Sequence, residues 1–542
     1  MILCEPSLWS CWNSRQWIKQ TQNIRNMRLQ FKDGRPDVTT TGYDAPSSQQ
    51  SLLQKVYAYL CIILLFVNYF LAQYDKFILS YFQTSVLDDL SLNSAQYGLL
   101  SGYATGIVYA ILALPIAFLS DYTSARVWVL CTTAAWWSVC VIFQSLAQDF
   151  GQLFCARLGM GIGQASVEAL SISLISDLVG WRNVFIGESV LYVGVYVGEA
   201  ISGQIATAFT RSGTSWRVAL RAIGITGIVV ALLLRIVLRE PKRRESLVSS
   251  GRDLQGNAVA HAASGFQPQD PGVSRLGAAK RDLVQTFSYI MRMHSFWLLV
   301  LSAGFRQLSG NVFGYYMPSY LSTTYDSQED LLSRYGIIVG VVGSVAVLSG
   351  GTLTSIFWPR TKLTPIYLTG IGGMISSLFA LLMIFSRDIA DGNQSRGVKI
   401  LYGVMSLAYL TAELWLGCLF AFIALLLPPL YKTFGLAIWG SIQVLIYSSG
   451  PQIIGLALRN EDTGSASYRR ATQLCLAVII PMGYWISGVG FLLSIPLVKE
   501  DLRKDLISGK ISTSRKTWLS VFAALVGAVV VTLFVTSLVY ST

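Results

Sequence analysis

A chain of 542 residues that is 53% apolar and only 13% charged lacks about half the charge of a soluble domain, in which roughly a quarter of residues are charged. The mean hydropathy of +0.51 agrees, and together these values exclude a disordered protein, a coiled coil and an ordinary cytosolic enzyme. The net charge of +12 does not mark a nucleic-acid binder, because its Lys and Arg lie between long apolar runs, mostly in alternate loops, rather than on one folded face.

Residues 1–54 read as a cytosolic N-terminal tail with Arg15, Lys19, Arg25, Arg28, Lys32 and Arg35. No continuous apolar run precedes Lys19, so a cleaved signal peptide is not expected. A spanning helix needs about 20 mostly apolar residues. Residues 55–240 hold six such stretches, at about 56–82, 97–120, 127–147, 151–178, 184–209 and 217–238. The polar stretch 241–293, with Pro268 and Pro271, reads as a flexible cytosolic connector. Residues 294–498 hold six more spans, at about 295–321, 335–358, 363–385, 399–427, 434–458 and 471–498. A basic cytosolic segment, 499–516, with Lys499, Arg503 and Lys504, precedes an additional transmembrane helix and C-terminus in 517–542. Continuous apolar helices are expected throughout, and no alternating strands of a barrel are present. The basic loops place the N-terminus in the cytosol. An odd number of spans then places Thr542 outside. The expected fold is an all-α polytopic membrane protein with two six-helix bundles and a thirteenth helix.

An ionisable side chain deep in a span costs at least a few kcal/mol unless paired or hydrated. Asp75 and Lys76 lie in span one, Arg157 and Glu168 in span four, Glu199 in span five, Arg306 in span seven and Glu413 in span ten. Apart from Glu199, which reads as structural, these charges fall in the first and fourth span of each half. At about 100° per residue, Arg157, Gly161, Gln164 and Glu168 share one helix face. Tyr192, Tyr196, Glu199 and Gly203 form a similar stripe on span five. Such stripes are expected to face the bundle interior or a hydrated cavity.

Residues 117–126, AFLSDYTSAR, resemble the loop between helices two and three of the major facilitator superfamily, with Asp121 and Arg126 matching its usual charged positions. Arg157 to Gly163 resembles that family's fourth-helix motif, and Gly194, Gly198 and Gly203 keep the spacing of its fifth. Within the superfamily the chain resembles the Spinster-like branch. Asp75-Lys76 stands where that branch has Asp-Arg. Arg157 to Asp177 follows its fourth-helix pattern, with Gln164 in place of glutamate. Trp216-Arg217 through Arg221 and Arg239-Glu240-Pro241 follow its pattern around helix six, and Glu413 and Gly450-Pro451 loosely match helices ten and eleven. The resemblance implies alternating access around a cavity lined by helices one, four, seven and ten. It also implies lysolipid- or sphingolipid-like substrates and coupling to protons. Glutamine does not titrate, so the family's carboxylate on helix four is absent at Gln164, and Glu168, one turn on, is placed to take its task.

Other chemistries lack their motifs. Gly159, Gly161 and Gly163 have neither the glycine spacing nor the ribose acid of a nucleotide loop. Gly509-Lys510 lacks the Walker pattern. Two histidines, His261 and His294, and eight cysteines without CxxC spacing give neither a metal site nor a disulfide framework. Asn393-Gln394-Ser395 is a glycosylation sequon in an expected outer loop.

The expected function is secondary active transport of an amphiphilic or small organic anion, with no enzymatic activity and no cofactor. Arg157, Arg306 and Gln164 are the candidate substrate-binding residues, since arginine suits phosphate and carboxylate. Asp75 and Arg157 are expected to pair until an anionic headgroup competes for the arginine. Asp75, Glu168 and Glu413 are the candidate proton-coupling residues. Asp121, Arg126, Asp177 and Arg182, at inner helix ends, are the candidate gating cluster. Partners are then the lipid bilayer, a small-molecule or lipid-like substrate and protons, with no nucleic acid. The membrane is expected to be plasma or endolysosomal. The alternative is a non-transporting membrane sensor or scaffold that keeps the fold.

Overall fold

Hydrocarbon cannot hydrogen-bond an exposed peptide group, so an apolar chain satisfies its backbone inside helices. The computed structural model describes residues 52–179, 183–241, 275–325, 328–427, 432–461, 465–502 and 513–540, and among these no strand occurs. Arg182, most of the N-terminal tail, most of the connector and most of the basic segment lie outside the described residues.

Before the connector run α1 (Leu52–Tyr81), α2 (Gln83–Asp89), α3 (Ser94–Ser101), α4 (Tyr103–Thr123), α5 (Arg126–Gln144), α6 (Phe150–Gln164), α7 (Val167–Leu178), α8 (Val184–Ser212) and α9 (Trp216–Val237). After it come α10 (Arg275–Arg292), α11 (His294–Thr324), α12 (Gln328–Phe357), α13 (Thr364–Ile384), α14 (Ser386–Ile389) and α15 (Gln394–Ala412). The order closes with α16 (Cys418–Leu426), α17 (Lys432–Tyr447), α18 (Ser449–Ala457), α19 (Ala466–Asp501) and α20 (Thr513–Val539). Ten stretches of the described residues are long and apolar enough to cross a membrane: α1, α3 with α4, α5, α6 with α7, α8, α9, α12, α13, α19 and α20. The stretches expected as spans seven, ten and eleven are not among them. α11 carries Arg306, Gln307 and Asn311 in its middle, and the other two are interrupted.

Interruption is the main departure from the sequence reading, which expects continuous helices. Four of those stretches are broken: at Gly102, at Ala165–Ser166, at Glu413–Gly417 and at Ser448. Gly102 adopts φ −103° and ψ −92°, and Gly417 adopts φ +70°, conformations that end a helix. Irregular backbone at membrane depth is tolerated where it is buried in protein or lines a cavity.

Residues from Tyr57 to Thr542 cluster as one unit. Within it the helices before the connector meet those after it along α8 with α12, α4 with α17, and α3 with α18. Small residues bring backbones together, as lipid-embedded helices need. A Cβ on Gly98 would stand 3.0 Å from Gly455 Cα, and one on Gly161 2.6 Å from the Thr105 carbonyl oxygen. At Gly350 a Cβ would overlap the carbonyl of Leu414, beside the third break. Gly350→Ala gains at most about 1 kcal/mol of helix propensity and costs about 1–3 kcal/mol by overpacking. We therefore expect a lower melting temperature in detergent, and a Gly350→Ala protein at least as stable as the parent would show that this contact yields. α20 is largely exposed to the surroundings of the helices. Trp518 and Phe522 sit against Trp297, and Ser537 bonds Gln452.

Candidate functional site

The four helix breaks converge. Gly102, Gln164, Glu413 and Ser448 all line one cavity of about 170 Å³. Its walls come from more helices than the four that the resemblance implies. α4, α8, α13, α17 and α19 contribute Tyr109, Tyr196, Ser376, Tyr447 and Tyr484.

Two cations reach this space, one from each side of the connector. Lys76 of α1 lies with Nζ 4.9 Å from the centre of the Tyr447 ring. Arg306 of α11 is 2% exposed, and its guanidinium stacks 4.1 Å from the Tyr484 ring and 5.4 Å from that of Trp415. Its Nη2 donates to the Ala412 carbonyl, at the open C-terminal end of α15. Terminal helix carbonyls lack intrahelical partners and carry partial negative charge, so the break itself positions the guanidinium. Nε of Arg306 has no hydrogen-bond partner.

Three carboxylates face the cations, each held by tyrosine hydroxyls. Tyr192 and Tyr69 donate to Glu168 Oε1 at 2.8 and 3.2 Å. Tyr335 donates to Glu199 Oε1 at 3.1 Å. Tyr196 donates to Glu413 Oε2 at 2.5 Å, and the Trp415 indole N–H donates to the same oxygen at 3.1 Å. Tyr335 and Glu199, like Tyr196 and Glu413, join helices from opposite sides of the connector. Charge-assisted hydrogen bonds of this kind each contribute about 1.5–3 kcal/mol. Glu199, which reads as structural from sequence, therefore also faces the cavity.

Arg157 and Asp75 do not line it. Adjacent helical residues point about 100° apart, so an α1 that turns Lys76 into the cavity turns Asp75 away. Asp75 is fully buried, and neither of its oxygens has a hydrogen-bond partner. Arg157 is 1% exposed, with Nε and Nη1 likewise unpartnered. The expected Asp75–Arg157 pair is therefore not made in this structure. Arg157 is the cation whose field reaches Asp75, and both reach Tyr315, which does line the cavity. Gln164 lines it and donates to the Ala72 carbonyl at 3.4 Å.

At the end of the bundle that holds the start of α1, Arg126 is fully buried. It donates to Asp177 at 2.7 Å, to Glu240 at 2.6 Å and to the Ser173 hydroxyl at 2.8 Å. Asp177 also receives Lys432 of α17 at 3.1 Å. Asp121 accepts from the backbone N–H of Phe434, at the start of α17, at 2.9 Å. Two of the four sequence candidates, Asp121 and Asp177, thus meet one helix end from beyond the connector, a third, Arg126, joins them through Asp177, and the fourth, Arg182, lies outside the described residues. Sequence reasoning did not single out Lys432, although a lone lysine at the edge of an apolar run was the available signal. It also did not single out the tyrosines at 69, 335 and 315.

The family model described as Major Facilitator Superfamily matches residues 65–451. Protein spinster of Drosophila melanogaster is 24% identical over 315 residues, which span 54% of this chain and 50% of that protein. The chain thus matches about half the length of that relative. An MFS-type efflux pump of Mycolicibacterium smegmatis is 21% identical over 77% of this chain and 89% of its own. A sphingosine-1-phosphate transporter of Danio rerio is 22% identical over 50% of this chain and 52% of its own. Among solved structures, a bacterial homolog to the human lysosomal transporter Spinster, inward-facing and unoccupied, superposes with a TM-score of 0.56. The identity is 19%, over 83% of this chain and 98% of that one.

Proposed function

The chain belongs to the Major Facilitator Superfamily, and from that premise we propose that it is a secondary active transporter of an amphiphilic or small organic anion, working by alternating access. The observation that carries this reading is the cavity that Lys76 and Arg306, from opposite sides of the connector, both line. Two cations on facing halves supply a reason to close, since an anion bound between them is held by both. The many tyrosine and tryptophan faces suit an apolar tail beside a charged headgroup. A lysolipid or sphingolipid-like substrate fits this lining, as does the likeness to a sphingosine-1-phosphate transporter.

Gln164 adds a neutral hydrogen-bonding group at the cavity wall. Arg157 and Asp75 act from behind Tyr315 in this reading. Asp75 is in this reading a proton-coupling acid, with Arg157 as the cation whose field reaches it. Glu168 and Glu413 are the carboxylates in the cavity itself that carry protons. The N-terminus lies in the cytosol, so the Arg126–Asp177–Lys432 cluster is the cytosolic gate. Residues 55–240 and 294–498 are the two rocking bundles, and α20 lies outside them.

The test is uptake into proteoliposomes of radiolabelled sphingosine-1-phosphate, a lysophospholipid and a small aromatic carboxylate, with and without an imposed pH gradient. At least one anion is expected to accumulate. Asp75→Asn is expected to leave anion exchange in place and remove its pH dependence. Full pH-driven uptake by Asp75→Asn would end the coupling role of Asp75. No uptake of any anion, together with unchanged results in an untargeted metabolite comparison, would favour a sensor or scaffold.

A further inference from the structure

α20 lies outside the two bundles, yet it touches both. Among its described side chains only Ser537 is buried, so the helix is held near its two ends rather than along a packed face. Near its start, Trp518 and Phe522 meet Trp297 of α11, with ring centres 6.4 and 5.8 Å away. Near its end, Ser537 accepts from the side-chain amide of Gln452 on α18, which is fully buried. Hydrogen bonds between helices hold them together where lipid offers no partner. One turn on, the Tyr540 ring lies 3.9 Å from the guanidinium of Arg459, just past α18. Trp297, Gln452 and Arg459 all follow the connector.

A further contact crosses to the other side. The Tyr540 carbonyl accepts from Asn93 Nδ2, at the start of α3, at 3.3 Å. Local sequence fixes that amide, because Asn93 and Gln96 form a capping box. Asn93 Oδ1 accepts from the Gln96 backbone N–H at 2.8 Å, and the Gln96 side chain accepts from the Asn93 backbone N–H at 2.9 Å. The cap uses the amide oxygen and leaves the NH2 group for α20. Tyr540 thus stands between α3 and α18, the two helices whose backbones meet at Gly98 and Gly455. We propose that α20 is a strap, which rides on the helices after the connector and latches onto α3 at the end of the bundle opposite the gate. When the halves part at that end, Asn93 and Arg459 separate, and Tyr540 cannot stay on both. The bond to Asn93 is the one that breaks, since Trp297, Gln452 and Arg459 keep α20 on the later half. The strap therefore favours the arrangement that is shut at this end, and so favours opening at the gate.

The proposal takes from the transporter reading only that the halves move, and its test needs no substrate. In the full chain in liposomes, nitroxides attached through non-canonical residues at the exposed positions Gln148 and Ser395 report the separation at the strapped end. A second pair at the exposed positions Thr123 and Thr361 reports the gate. Asn93→Ser keeps a side chain that caps a helix and lacks the amide donor. It is expected to raise the ratio of long- to short-distance molecules at the first pair by about 2- to 10-fold, the range of one net hydrogen bond, and to lower it at the second. Joining Asn93→Cys to Tyr540→Cys with a short thiol cross-linker is expected to abolish the long-distance population at the first pair. An Asn93→Ser protein with the parent's distributions would overturn the proposal. Lengthening at both pairs would also overturn it, since that marks general loosening, as would a cross-linked protein that still opens at the first pair. Anion uptake by the parent without any effect of Asn93→Ser on the distances would defeat the strap alone. Failure of anion uptake with the Asn93-dependent shift intact would defeat the transporter reading alone.

Discussion

Arg306→Ala is expected to lower the initial uptake of whichever anion the protein accumulates by about 10- to 100-fold, from the roughly 1.5–3 kcal/mol of a hydrogen bond to a charged group. The guanidinium is clamped between the Tyr484 and Trp415 rings and tied to the open end of α15, so its position is set before any ligand arrives. Removing it takes away a prepositioned cation and leaves the Ala412 carbonyl without its donor. Arg306→Lys keeps the charge and loses the planar stacking. It should recover only part of the rate. The quantities to measure are uptake at limiting substrate and the monodispersity of the purified protein. Normal uptake in a folded Arg306→Ala protein would remove this residue from the site and, with it, half of the proposed anion clamp.

Arg126→Ala is expected to have the largest effect on stability, about 3–5 kcal/mol, because it breaks a buried ionic cluster from its centre. One side chain, fully buried, serves Asp177, Glu240 and Ser173 together. Its loss leaves the buried Asp177 with one cation fewer, whereas Glu240 is open to solvent. The expected readout is a clear fall in melting temperature in detergent, with Arg126→Lys falling less. An unchanged melting temperature would mean that Lys432 and water compensate Asp177 fully. The same cluster separates stability from gating: Arg126 joins helices before the connector to one another, whereas Lys432 joins them to α17. Variants of the first should chiefly unfold the protein, and variants of the second should chiefly redistribute its conformations.

Composition and apolar run length determined the class of this protein directly, because a lipid solvent leaves the backbone no choice but helices. The charge census was nearly as informative. Lys76, Glu168, Arg306 and Glu413 were visible as residues that hydrocarbon would penalise, and each lines the cavity. Glu199 was visible too but read as structural, since one helix alone does not show what faces it. Three features were decided only in three dimensions. Asp75 and Arg157 read as cavity residues from their depth, but depth along a helix does not give rotation about its axis, and α1 turns Lys76 inward instead. The helix breaks at Gly102 and Glu413–Gly417 depend on neighbours that bury the freed backbone, so a hydropathy pattern reads straight through them. The partnership of Lys432 with Asp177 joins residues 255 positions apart, and only the packing of α17 against α7 brings that lysine to its acid.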